Sequence, residues 1–132
     1  MPDHNRTQNC LGVETARLVQ LVEQALAWDL GGADDMPELQ GALTVIAGIH
    51  EHASLLSDAL TAAVERLPPD SDLYRRVQTA LGEAQRRLPQ PVPQERRRAA
   101  ERAQNLARLS QTLLQRAVEL EAAHSLSPPR GT

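Results

Sequence analysis

The sequence predicts an all-α protein, an antiparallel four-helix bundle with two long helices (about 36–67 and 94–124) and two shorter ones (about 12–30 and 71–88). Three observations predict it. Of 132 residues, 20 are Leu and 19 are Ala, both strong helix formers. Aromatics are only 2% (Trp28 and Tyr74, with no Phe), which removes the aromatic filling that a sandwich or barrel core leans on. Apolar residues also recur at spacings of three and four, and the pattern breaks only where Gly or Pro accumulates.

The first helix is expected from Gly12 to Leu30, with Leu11, Leu18, Val22, Ala25 and Leu26 forming its apolar stripe and Gly31-Gly32 ending it. The second opens on a capping signature, Asp35 as N-cap, Pro37 in the first turn and Glu38 three residues after the cap. Its stripe is the most regular in the chain: Leu39, Ala42, Ile46, Ile49, Ala53, Leu56, Leu60, Ala63 and Leu67 alternate spacings of three and four. Pro68-Pro69 ends it. Asp70 or Ser71 caps the third helix, whose core positions are Leu73, Val77, Ala80, Ala84 and Leu88. Pro89, Pro91 and Pro93 then impose an extended linker. The fourth helix carries Ala99, Ala103, Leu106, Ser110, Leu113, Ala117 and Leu120, flanked by Leu109, Leu114 and Val118. A shift of 57 residues superimposes this stripe on that of the second helix, a match that either an internal duplication or a shared heptad periodicity gives. Residues 11–124 form one domain, with a flexible leader over 1–10 and a loose tail over 125–132.

The lengths do not match. The long helices would each span roughly 46 Å and the short ones about 28 Å. A polyproline path from Leu88 to Gln94 covers roughly 19 Å and would set the start of helix 4 level with the start of helix 2, closing one bundle. A folded-back linker would leave about four turns of helix 4 projecting with an apolar seam in need of a partner. Gly41 and Gly48, one heptad apart inside helix 2, either mark close approach of another helix or are simply tolerated.

Fourteen basic residues, all Arg, face seventeen acidic ones, for a formal charge of −3. This balance does not favour wholesale coating of DNA or of an anionic membrane. The single cysteine, Cys10, cannot form an internal disulfide, so a reducing, cytoplasmic setting is expected. No apolar run approaches the roughly 18 residues of a membrane span.

Six arginines, Arg86, Arg87, Arg96, Arg97, Arg98 and Arg102, fall within seventeen residues around the linker. At the end of helix 3, Arg86 and Arg87 suit the helix dipole, whereas Arg96 to Arg98 in a first turn oppose it. Guanidinium groups beside free helix N–H groups would suit a phosphate or carboxylate. The competing account pairs them internally with Glu95, Glu101 and the acidic segment Asp29, Asp34, Asp35 and Glu38. Glu121 and His124 have the Glu-x-x-His spacing of di-iron bundles, but no second such pair exists. His50, Glu51 and His52 are consecutive and diverge by about 100° each on a helix. No nucleophile elbow or glycine-rich phosphate loop is present. Trp28-Asp29-Leu30-Gly31 resembles the turn of small secreted WXG hairpins over four residues only. Its spacing is Trp-x-x-Gly, and two further helices follow.

The expected function is therefore a non-catalytic protein–protein interaction module, without metal or cofactor, that forms a homodimer and engages another protein. Its interaction seam would be Leu39, Ile46, Ile49, Leu56, Leu60, Leu106, Leu113 and Leu120. The alternative is a nucleic-acid- or anion-binding accessory that uses Arg86, Arg87, Arg96, Arg97, Arg98 and Arg102.

Overall fold

A computed structural model describes residues 11–32 and 35–126. The leader over 1–10, including Cys10, and residues 127–132 of the expected tail lie outside the described residues. The chain is all-helical, with α1 at Ala16–Leu26, α2 at Leu39–Val64, α3 at Asp72–Arg87 and α4 at Arg96–Leu126. Both α2 and α4 pack against each other and against the two shorter helices. The resulting bundle has one contiguous core, which includes Leu21, Ile49, Leu56, Val77 and Leu113.

The first helix is the main correction to the expected boundaries. It is 11 residues long and occupies only part of the predicted 12–30. Gly12 adopts a left-handed φ of 74°, which keeps the chain out of helical geometry before Thr15. The other end stops five residues before Gly31. The Trp28 N–H bonds the Ala25 carbonyl in a tighter three-residue turn, and the Gln104 side chain of α4 bonds both the Ala25 and Trp28 carbonyls. Gly31 instead belongs to an Asx turn, its N–H donating to Asp29 Oδ1 at 2.9 Å. A packing partner 79 residues away has ended the helix, rather than a local glycine.

The second helix begins at Leu39, after Glu38 in extended geometry, so the Asp35 capping signature is not used. Met36 precedes a proline, which disfavours helical geometry there, and the Met36 and Pro37 carbonyls are engaged by Arg96. At the other end the last turn tightens ahead of Pro68-Pro69, with the Leu67 N–H donating to the Val64 carbonyl. Ser71 caps α3 as one of the two expected candidates, its hydroxyl accepting from the Tyr74 N–H at 3.1 Å. The fourth helix runs to Leu126, two residues into the expected tail.

The linker takes the spanning route. Arg96, the first residue of α4, donates to the Met36 and Pro37 carbonyls at 2.8 Å each, so α4 starts beside the start of α2. Leu11, Ala63, Leu67, Leu120 and Ala123 line a common cavity at the far end. Among the described residues α4 meets neighbours at both ends, and the seam residues turn inward. Ile46, Ile49, Leu56, Leu60, Leu106, Leu113 and Leu120 are all buried, and Leu39 is half-buried against the same core. The seam is thus the core of one chain, and its side chains are not on a surface open to a partner.

The two glycines of α2 part company here. A methyl group on Gly48 would lie 2.8 Å from Leu21 Cδ1, on a side chain only 2% exposed, so α1 crosses α2 where Gly48 leaves room. At Gly41 the nearest atom is Pro37 Cβ at 4.0 Å, an ordinary contact. Gly41→Ala is expected to stabilise the fold by about 1 kcal/mol, the helix-propensity gain. Gly48→Ala should lose that gain to displacement of Leu21. Denaturant midpoints of the two variants check this, and equal stabilisation by both would remove the close-approach role of Gly48.

Candidate functional site

The arginines around the linker are built into the fold. Arg97 donates to the Leu30 carbonyl at 2.7 Å, and Arg96 holds Met36 and Pro37 as described. Together with Gln104, they bind the backbone of the end of α1 and the α1–α2 connection, where carbonyls lack the partners of a continuing helix. Arg102 donates to the Pro91 carbonyl and fixes the linker. Arg86 and Arg87 both reach Glu83, at 2.6 and 2.9 Å. Of the six candidate anion-binding residues only Arg98 has no side-chain bond among the described residues. Four of the internal partners are the main-chain carbonyls of Leu30, Met36, Pro37 and Pro91, which neither charge counting nor spacing reveals. Glu101 does pair with Arg97 at 3.7 Å, and Glu38 lies 3.9 Å from Arg96.

Glu95 resolves the conflict of three arginines in a first turn. Its carboxylate accepts the N–H groups of Arg97 and Arg98 at 3.1 Å each. These two hydrogen bonds, aided by the charges of Arg98 and Arg97, hold the Glu95 carboxyl below the usual glutamate range. A lowered folded-state pKa contributes stability above the unfolded value, about 4.3 for Glu, and that contribution disappears as pH falls through the folded value. Wild type is therefore expected to melt higher than Glu95→Ala at pH 7. The gap should narrow progressively below about pH 4.3. A gap that stays constant between pH 7 and pH 3 would show that the carboxylate charge does not matter there.

A second group of arginines lines an open groove, and neither composition nor local spacing singles it out. Between α3 and α4 runs a groove of about 630 Å³, lined by Arg75, Arg76 and Arg87 from α3 and by Arg108 and Arg116 from α4. Ala80 and Leu109 supply apolar lining, and Thr79 and Thr112 add hydroxyls. Two carboxylates, Asp72 and Glu83, line it as well. Asp72 pairs with Arg75, while Glu119 takes Arg76 at 3.4 Å and Arg116 at 3.3 Å. Arg108 bonds only the Asn105 side chain, at 3.2 Å, and has no carboxylate partner among the described residues. The groove is thus basic, with charges carried on long side chains above the buried Ala80 and Leu109. One signal was readable in advance: Arg108 and Arg116 share a helix face with Thr112 between them. The α3 arginines join them only through packing.

Glu121 and His124 lie in the last turns of α4, and His124 lines the cavity with Leu11, Leu67 and Leu120. His50 is exposed beside α3. Among the described residues no three His, Cys, Asp or Glu side chains gather as a metal site would require. Nor is any described helix long and apolar enough to cross a membrane.

No curated protein and no solved structure matches the chain. Residues 16–122, from the start of α1 almost to the end of α4, match the family of unknown function DUF6415, and the chain belongs to that family.

Proposed function

We propose that this protein is a non-catalytic, cytoplasmic interaction module whose four helices run alternately up and down, and which self-associates through surfaces other than its heptad seam. The observation that carries this reading is the open arginine-lined groove between α3 and α4, a surface with charge and apolar area but no convergent acid, base or nucleophile. The division of charge along the chain supports it. Residues 11–69 hold nine carboxylates against two arginines, and residues 70–126 hold ten arginines against seven carboxylates. Such polarity favours association between copies and steers their encounter.

Light scattering during size-exclusion chromatography, over a hundredfold range of concentration at low salt, tests the proposal. The expected result is a mass that rises above the 14.5 kDa of one chain as concentration increases. A constant single-chain mass rejects it. A second reading, an accessory that binds nucleic acid or another anion, draws support from the same groove rather than from Arg86 to Arg102. It requires binding to DNA, RNA or phosphate that weakens steeply with salt.

A further inference from the structure

We infer that the groove between α3 and α4 receives the outer face of α2 from a second copy of this chain, an inference that rests on the self-association proposed above. Glu51, Asp58 and Glu65 are spaced by seven residues, so they stand in one line along α2 and its helical C-cap, Glu65, and all three are exposed. At 100° per residue this line points directly away from the buried row of Ile49, Ala53, Leu56 and Leu60. None of the three carboxylates has an ion pair or hydrogen bond among the described residues. Leu55, 52% exposed, and the exposed Ala62 sit beside them on the same face. The outer face of α2 is therefore an acidic line with an apolar edge.

The groove is its counterpart in charge and length. The three carboxylates extend over about 21 Å of helix, at 1.5 Å per residue. On α3, Arg76 and Arg87 are about 16 Å apart by the same measure, and guanidinium side chains reach beyond their own Cα positions at both ends. The carboxylates already inside the groove argue against a nucleic-acid backbone, whose closely and evenly spaced phosphates would meet Asp72 and Glu83 as well as the arginines. A helix with three acids one heptad apart leaves gaps where they can sit.

Two charge-reversed proteins test the inference. The groove variant is Arg87→Glu with Arg108→Glu, both exposed positions, and the stripe variant is Glu51→Arg, Asp58→Arg and Glu65→Arg. Circular dichroism should show wild-type helicity for each. By light scattering at low salt, each variant alone is expected to need at least tenfold more protein than wild type to associate. Mixed one to one, they should associate again at the concentrations at which wild type does, because the groove variant keeps its stripe and the stripe variant keeps its groove. Raising the salt to about 0.5 M should return the mixture to single chains. If wild type associates but the variants associate as it does, or if their mixture stays monomeric, the stripe-into-groove contact is overturned while self-association stands. If wild type is a single chain at every concentration, both fail together.

Discussion

Ile49→Asp is expected to abolish the helical fold. Ile49 is fully buried at the centre of α2, in the core shared by all four helices. The substitution removes a large apolar side chain, worth roughly 2–5 kcal/mol at a core position. It also puts a carboxylate where no partner can reach it, a further cost of several kcal/mol even after relaxation. Against a total stability of about 5–15 kcal/mol for a single domain, and with much of this core made of Ala, the folded state should not survive. Leu55→Asp is the control. One residue before the fully buried Leu56, Leu55 is 52% exposed, so the same change should shift stability by no more than about 0.5 kcal/mol. Far-ultraviolet circular dichroism and a urea titration of both variants separate the two cases. If Ile49→Asp kept its helicity and lost only mass, the seam would be an interface between chains rather than the core of one.

That pair of neighbours also shows what could be read from the sequence. The strict alternation of three and four from Leu39 to Leu60 located the buried row of α2, because a 3.6-residue helix presents such positions to one side. The breaks at Pro68-Pro69 and across Pro89 to Pro93 fell where they did because proline lacks the N–H a helix interior needs. Periodicity cannot say whether a stripe meets its own chain or another copy. That answer came from the linker, whose reach let Arg96 dock beside Pro37. The ends of α1 were hidden for a similar reason, since Gln104 acts on Ala25 across 79 positions of sequence. Arg96 and Arg97 looked like an anion site because their partners are backbone carbonyls, and every residue has one. The α3–α4 groove was invisible as a group, its arginines being gathered from two helices whose relative register no local pattern encodes.

Gln104 carries the second large expectation. It is 9% exposed, and its Nε2 donates to the Ala25 carbonyl at 2.9 Å and the Trp28 carbonyl at 3.0 Å. Two acceptors on one nitrogen fix the amide orientation, because only the NH₂ end can serve both. Gln104→Leu keeps most of the volume and removes both donors. The Ala25 carbonyl retains the Trp28 N–H, whereas the Trp28 carbonyl loses its Gln104 donor, so the loss should be about 2 kcal/mol. For a chain of this size that lowers Tm by roughly 6–10 °C. Gln104→Glu should be worse at pH 7 and should differ in its pH dependence. A carboxylate facing two carbonyl oxygens can donate nothing and is repelled, so its folded-state pKa is raised above the unfolded value. Stability should then recover as pH falls through that raised value, when the protonated acid regains one O–H donor. Gln104→Leu should show no such recovery. Arg97→Leu removes a comparable bond from an exposed side chain and should cost less than about 1 kcal/mol. If Gln104→Leu were as mild as Arg97→Leu, the close of α1 would rest on its local turn and not on the hold from α4.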